Sequence, residues 1–261
     1  MPTLAEVFNT FDAGTSFEVP ESWTQGRTAF GGLTASLAVE AARRAHGPDL
    51  PPLRSAQFAF TAPAVDSVEV ATRMLRQGRS TTSIMVECTS RSEVAALSTL
   101  VFARPRPSIV DHSFTARPDV PRPEDCPPFA DASSLRPAFV ENFDIRRAGG
   151  STPLSRVERP EFVAWARHLD ATDVDPRVAV VALADCLAPA VTTSFVEWAP
   201  ISTMTWTVHF CSDLTADPSG WFLIRSSSDH AANGYSYQTM AVYDANEVLV
   251  LTATQTVALY A

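Results

Sequence analysis

Two parts of the chain repeat the same series of hydrophobic and polar patterns. Each begins with a segment of helical pattern and continues with segments in which apolar and polar residues alternate, as in strands with one buried face. In the first part, the helix is predicted over 31–44 and the strands over 55–60, 68–75, a segment through Cys88, and 94–103. In the second part, the helix is predicted over 178–190 and the strands over 203–210, 221–226, a segment through Tyr243, and 248–259. Two further strands, 144–147 and 162–167, are predicted before the second helix.

A local sequence match supports an internal duplication. Glu93-Val94-x-x-Leu97 and Glu247-Val248-x-x-Leu251 occupy the same place in the two series. In the register of this match, Val101 is the counterpart of Gln255. A helix followed by alternating strands favours an antiparallel sheet wrapped around a helix, so the predicted fold class is α+β.

Proline separates the two parts. Half of the 20 prolines lie between residues 103 and 160, too many for the interior of a sheet or helix. We therefore predict an N-terminal unit at 1–103, a proline-rich linker at 104–138 and a C-terminal unit at 139–261.

Composition excludes several kinds of chemistry and partner. A net charge of −9 argues against nucleic acid or an anionic membrane as a partner, and the absence of lysine excludes Schiff-base catalysis. The four cysteines form no CxxC pair, and the five histidines have no metal-ligand spacing, so neither a metal nor another cofactor is expected. There is no signal-peptide pattern, and the longest apolar segment is too short to span a bilayer, so a cytoplasmic protein is predicted.

The sequence also lacks the common catalytic motifs. It contains no GxSxG, HExxH, GxxxxGK[ST] or GxGxxG pattern. Without an activated serine, cysteine, lysine or metal, a hydrolase would have to use a carboxylate and a water molecule.

Asp185 is the candidate carboxylate. It is the one charged residue between Val178 and Val191, and at helical spacing its neighbours are all apolar. Such a side chain either reaches solvent or is buried, and burial would raise its pKa enough for it to act as a base near pH 7.

Two other polar residues of the second part stand out. Gln255 lies on the apolar face of the last strand, where an unpaired amide would cost on the order of 1–3 kcal/mol, so it should have a partner. Thr203 lies at the start of its strand, where side chains border a crevice. The first part has no acid in its helix before Glu40 and has Val101 in place of Gln255, so the two polar residues together indicate catalytic residues in the second part.

Several motifs together resemble the double-hotdog acyl-CoA thioesterases, the bacterial thioesterase II or TesB-like group. They are Phe30-Gly-Gly-Leu before a helix, Gln57-Phe-x-Phe-x-x-Pro63, Leu75-x-x-Gly-Arg-Ser80, Leu183-Ala-Asp185, Ser202-Thr203 and Thr254-Gln255. The chain departs from the family at Cys211-Ser212-Asp213, where Arg-Pro is common, and in the linker.

This resemblance implies a fold, a reaction and a set of residues. The fold would be two tandem hotdog units, and the catalytic residues would be Asp185, Thr203 and Gln255, which activate a water that hydrolyses an acyl-CoA to a fatty or modified acid. Amides near Gly31 and Gly32, as substrate-binding groups, could stabilise the oxyanion. A homodimer is also expected.

Other functions stay open. The protein could bind acyl-CoA without turning it over, or it could hydrolyse another acyl thioester, although a net charge of −9 would slow encounter with an acidic carrier protein. A hydratase is disfavoured because no Asp is followed by a His five residues later.

Overall fold

A computed structural model describes residues 1–12, 14–129, 136–214 and 220–261. The described residues form three α-helices and thirteen strands. The helices are α1 (Leu4–Thr10), α2 (Gly31–His46) and α3 (Pro176–Ala184). The strands before the linker are β1 (Ser16–Glu18), β2 (Thr24–Gln25), β3 (Thr28–Ala29), β4 (Leu53–Phe60), β5 (Ser67–Gln77), β6 (Thr81–Ser90) and β7 (Glu93–Ala103). Those after it are β8 (Phe143–Gly150), β9 (Glu161–His168), β10 (Ile201–Phe210), β11 (Phe222–Ala232), β12 (Tyr235–Asp244) and β13 (Leu249–Leu259).

Eleven of these strands form one antiparallel sheet around two helices. Their order is β1-β5-β6-β7-β4-β10-β13-β12-β11-β9-β8, and β4 pairs with β10 at the centre. Helices α2 and α3 pack against each other on one face of the sheet. The α+β class and the antiparallel sheet wrapped around helices are therefore confirmed.

Each predicted strand is present, with ends that differ from the prediction by up to six residues, and the first helix is two residues longer than predicted. Helix α1 and the short strands β1 to β3 were not predicted. The turn at Asn233 and Gly234 joins β11 to β12 with positive φ at both residues (53° and 79°), as a two-residue hairpin turn requires.

The second helix differs from the prediction of 178–190. It begins at Pro176, because Asp175 caps it by accepting hydrogen bonds from the Arg177 and Val178 amides, and it ends at Ala184. Asp185 is the residue that follows the last turn, and a separate 3₁₀ turn spans Ala190–Ser194. The apolar run through Val191 is thus two elements, and Asp185 lies between them.

Irregularities in strand pairing recur in the two halves of the sheet. The β4–β7 pair shifts register between Leu53 and Ser55, and the β10–β13 pair shifts between Thr203 and Thr205. The β6–β7 pair shifts between Cys88 and Thr89, and the β12–β13 pair between Val242 and Tyr243. In the same way, the β5–β6 pair shifts register between Met74 and Arg76, and the β11–β12 pair shifts between Ser228 and His230.

The matched register shifts show which residue of β7 corresponds to Gln255 of β13. Ala96 and Leu251 directly follow the extra residue of their strands, and Leu100 and Gln255 each lie four residues further on. Leu100 is buried with no exposed surface, whereas Val101 points to the other face of β7. The predicted counterpart, Val101, was therefore wrong by one residue, which in a strand exchanges the faces.

The segment predicted as a linker is partly described. Its described residues contain one 3₁₀ turn at Pro123–Asp125, and the Trp165 indole donates to the Pro121 carbonyl, so this stretch lies against β9. Residues 130–135 of the predicted linker lie outside the described residues. The boundaries at 103 and 138 stay predictions.

Candidate active site

Asp185 lies at the meeting point of the two helices. It follows α3, and its carboxylate faces the first turn of α2, where a Cβ on Gly31 would stand 2.8 Å from Asp185 Oδ2. The side chain is half-buried and lines a cavity of about 670 Å³. Asp185 thus has one side in the protein interior and one side open to a space large enough for part of a ligand.

Gln255 holds the interior side of this carboxylate. Its Nε2 donates to Asp185 Oδ1 at 2.9 Å, and its side chain is buried on the inner face of β13. The partner that the sequence predicted for this amide is therefore Asp185. Gln255 does not appear among the described residues that line the cavity, so it lies behind the carboxylate.

Gln238 extends this contact and was missed by the sequence analysis. Its Nε2 donates to Gln255 Oε1 at 2.6 Å, and its Oε1 accepts from the Ala190 amide at 2.5 Å. Gln238 lies opposite Gln255 in the β12–β13 pair and is 2% exposed. On β12 it shares a face with buried Met240 and Val242, so the reasoning that identified Gln255 would also have identified it.

Gly31 and Gly32 allow the start of α2 to lie close to α3 and to the Asp185 carboxylate. The Gly32 amide donates to the Asp185 carboxylate, and a Cβ at Gly32 would lie 2.7 Å from the Ala182 carbonyl oxygen. Gly31 lines the cavity, and its amide belongs to the first helical turn, whose N–H groups have no acceptor within the helix. The positive end of the α2 dipole therefore points at the carboxylate and the adjacent space.

Burial dominates the electrostatics of Asp185. Loss of solvent raises the pKa of the carboxyl from 3.8 to about 7, while the hydrogen bonds from Gln255 and the Gly32 amide act in the lowering direction. Asp185 and Cys186 are the titratable groups among the described residues that line the cavity, and burial raises the pKa of the Cys186 thiol. A carboxylate with a pKa of about 7 can both accept and return a proton at neutral pH.

Thr203, which lies in the same half of the chain as Asp185, borders the same cavity. It lies at the irregularity of β10 and lines the cavity together with Asp185 and Gly31. The expectation that it borders a crevice is therefore met. The hydrogen bonds recorded for the Asp185 side chain come from Gln255 and Gly32, so Thr203 shares the cavity without a direct bond to the carboxylate among the described contacts.

The remaining wall of the cavity is largely apolar. Its larger apolar side chains are Phe60, Phe139, Val140, Leu187, Trp198 and Ile201. Asp185 is the one charged residue among the described residues of the wall. The cavity therefore suits an uncharged, apolar group next to a single carboxylate.

The first unit has no equivalent arrangement. Ile84 and Leu100 pair with each other at the positions that correspond to Gln238 and Gln255. The acid of the first helix, Glu40, is held by Arg43 and Arg44 at 2.7 Å each. The polar pair that contacts Asp185 is thus absent from the first half, although Gly31 of that half lines the cavity.

None of the helices in the described part of the chain is long and apolar enough to cross a membrane.

Solved structures with the same fold come from several bacteria. A conserved protein of unknown function with a hot dog fold from Alicyclobacillus acidocaldarius is 27% identical, with a TM-score of 0.82 over 94% of this chain and 92% of that one. The TesB protein of Mycobacterium avium subspecies paratuberculosis is 17% identical, with a TM-score of 0.79 over 99% of this chain and 100% of that one. An acyl-CoA thioesterase II, TesB2, from Mycobacterium marinum is 18% identical, with a TM-score of 0.72 over 94% and 91% of the two chains. The chain thus has a hotdog fold.

Two family models together match most of the chain. No curated protein matches the sequence significantly. The family model of the acyl-CoA thioesterase N-terminal domain matches residues 19–103, and that of the acyl-CoA thioesterase C-terminal domain matches residues 123–259, more than half of the chain. This chain belongs to the acyl-CoA thioesterase family.

Proposed function

We propose that this protein hydrolyses an acyl-CoA to the free acid and CoA, with Asp185 as the general base that activates water. The observation that carries the proposal is the position of Asp185, a carboxylate with a pKa of about 7 at the wall of an apolar cavity, held from behind by Gln255. Membership of the acyl-CoA thioesterase family supports the reaction class.

The first step is attack by water. Asp185 and Thr203 line the same cavity, and Asp185 Oδ2 lies beside Gly31, which also lines it. A water held there would donate one hydrogen to Oδ2. As the water oxygen bonds to the thioester carbonyl carbon, its proton passes to Asp185 and the carbonyl oxygen becomes an oxyanion. Gln255 keeps the carboxylate in place during this transfer.

The second step expels CoA. The Gly31 amide, at the positive end of α2, is the proposed donor to the oxyanion. When the carbonyl re-forms, the C–S bond breaks, and the proton on Asp185 passes to the departing sulfur. The carboxylate is thereby regenerated, and one water is consumed for each acyl-CoA.

The cavity wall indicates where each part of the substrate binds. Its apolar side chains suit the acyl chain, and the described residues of the wall carry no positive charge. The nucleotide phosphates of CoA must therefore bind outside the cavity, with the pantetheine arm leading to Asp185.

A comparison of wild type with Asp185→Asn tests the proposal. Free CoA release would be measured with acyl-CoAs of two to eighteen carbons, and loss of the base is expected to lower kcat by about 10²–10⁴-fold. Because Cys211 is an exposed thiol, a thiol-reactive reporter must be corrected for the protein alone.

Asp111→Asn, at an exposed site, is the matched control and should keep wild-type activity. Full activity of Asp185→Asn would show that the carboxylate is not the base. Tight acyl-CoA binding in calorimetry, with no CoA release by wild type, would instead support a non-catalytic acyl-CoA-binding protein. Release only from acyl carrier protein would identify the other thioester substrate.

Thr203 has a separate test. Thr203→Val keeps the shape of the side chain but removes the hydroxyl, and it is expected to lower kcat by about tenfold through poorer placement of the water. Thr203→Ser should retain most of the activity. If Thr203→Val matches wild type, the hydroxyl has no part in binding the water.

We further propose that the molecule is a tandem double hotdog, with units at 1–103 and 139–261. The recurring irregularities in three pairs of strands support this duplication. A homodimer in solution is also proposed, and light scattering coupled to size-exclusion chromatography measures it directly.

A further inference from the structure

We infer that Gln238 is a positioning residue that fixes the direction of the Gln255 amide and so leaves Asp185 Oδ2 as the atom that takes the proton. This inference rests on the proposed function and adds a residue and an atom to it. It concerns the chain of contacts from the Ala190 amide through Gln238 and Gln255 to Asp185.

The direction of this chain is set at its far end. A backbone N–H can only donate, so the Gln238 atom that faces the Ala190 amide must be Oε1. Nε2 of Gln238 therefore faces Gln255 and donates to Gln255 Oε1. Gln255 must then present Nε2 to Asp185 Oδ1.

Without Gln238, the Gln255 amide would have two orientations. One presents Nε2 and stabilises the ionised carboxylate. The other presents Oε1, which repels the carboxylate and accepts a hydrogen bond from the protonated acid. Gln238 selects the first orientation, which favours the basic form of Asp185.

The same chain distinguishes the two oxygens of Asp185. Oδ1 accepts from Gln255 on the interior side, while Oδ2 lies beside Gly31, which lines the cavity. A proton from a cavity water can therefore reach Oδ2 without displacing the bond from Gln255.

Few other groups can perturb this carboxylate. From α2 it faces the Gly32 amide, from β13 it faces Gln255, and the neighbouring titratable side chain is the buried Cys186 thiol. Among the described residues of the cavity wall there is no further charged side chain. A change in the pH profile after substitution of Gln238 would thus report on the Gln255 amide.

Two variants of Gln238 test the inference. Gln238→Met keeps the length of the side chain but removes both hydrogen bonds, and Gln238→Glu keeps the acceptor for Ala190 but, when ionised, cannot donate to Gln255. Both are expected to move the acidic midpoint of kcat/KM upward by about one pH unit or more, and to lower kcat at pH 7 by about tenfold, with KM changed less than twofold. KM is expected to change little because Gln238 is not among the described residues that line the cavity.

Thr239→Val is the matched control. Thr239 is the next residue on β12, and its hydroxyl donates to Asp229 on the other face of the strand. This variant should keep the wild-type midpoint. A merely structural role for Gln238 would lower kcat in proportion to the folded fraction and leave the midpoint unchanged, and that result in folded Gln238→Met, which can make neither hydrogen bond, overturns the inference.

A carboxyl titration makes the test independent of activity. In ¹³C-labelled protein, the Asp185 carboxyl resonance should titrate at higher pH in Gln238→Met than in wild type. If wild type releases no CoA, the proposed function fails, but this titration still tests the positioning role. An unchanged Asp185 titration refutes that role whether or not the enzyme is active.

Discussion

The pKa of the Asp185 carboxyl lies near neutrality because two opposing effects act on it. Burial favours the neutral acid, and the hydrogen bonds from Gln255 and the Gly32 amide favour the anion. Burial is the larger effect, so the pKa is about 7 rather than near 4. The residue therefore stores unfavourable free energy in the folded state above neutral pH.

The pH dependence of the free energy of unfolding should show the cost of ionising the buried Asp185. Between about pH 4 and pH 7, Asp185 is ionised in the unfolded chain but protonated in the folded protein. Its contribution to the free energy of unfolding therefore falls as the pH rises through this range, and it is constant above about pH 8. Asp185→Asn is therefore expected to be about 1–3 kcal/mol more stable than wild type at pH 8, with the difference vanishing below pH 4. Urea unfolding at a series of pH values measures it.

Asp111→Asn again serves as the control, because the Asp111 side chain is exposed and lies outside the cavity wall. A difference between wild type and Asp185→Asn that does not depend on pH would contradict the raised pKa.

Sequence alone could identify part of this site. Asp185 and Gln255 were evident because each is polar on an otherwise apolar face, and the structure joins them by a hydrogen bond. Thr203 lacks that signal, since its strand is rich in threonine, and it was identified by its place at the start of the strand together with the resemblance. The direction of the amide chain depends on the Ala190 N–H, whose place next to β12 is a tertiary contact that no local pattern encodes.

At the scale of elements, the contact between α2 and α3 positions the carboxylate. Gly32 allows α2 to approach the Ala182 carbonyl of α3, and the Phe30 ring fills the other side. The end of α3 could have been predicted better, because a proline at 189 would clash with the carbonyl of Asp185 in a continuous helix. The prediction extended the helix to residue 190 because the residues around Pro189 are apolar.

The two glycines should therefore respond differently to substitution. Gly32→Ala places a methyl group against backbone and ring atoms that cannot move freely, and a destabilisation of about 1–3 kcal/mol is expected. Gly31→Ala meets the end of the Asp185 side chain, so it should lower activity with a smaller loss of stability. Thermal unfolding and CoA release, measured on both variants, separate the two effects, and equal losses of stability would contradict this assignment.

At the scale of the whole molecule, the two halves of the chain share one sheet, and residues of both line one cavity. β4 and β10 pair across the centre, where Phe58 stacks on Trp206 at 5.4 Å, and both side chains are buried. The site takes Gly31 from the first unit and Asp185 and Gln255 from the second. The repeated pattern in the sequence predicted two similar units, but the continuous sheet between them depends on long-range pairing.

This shared sheet predicts that the first unit cannot stand alone as a monomer. A fragment of residues 1–103 would expose the β4 edge, Phe58 and the face of α2 that packs on α3. Unpaired strand edges and apolar faces of this kind promote association, so the fragment is expected to be unfolded, to aggregate, or to form a dimer through β4. Circular dichroism and analytical ultracentrifugation of the fragment, with the full chain as control, distinguish these states. A monomeric fragment with a cooperative unfolding transition would show that the first unit folds without the second.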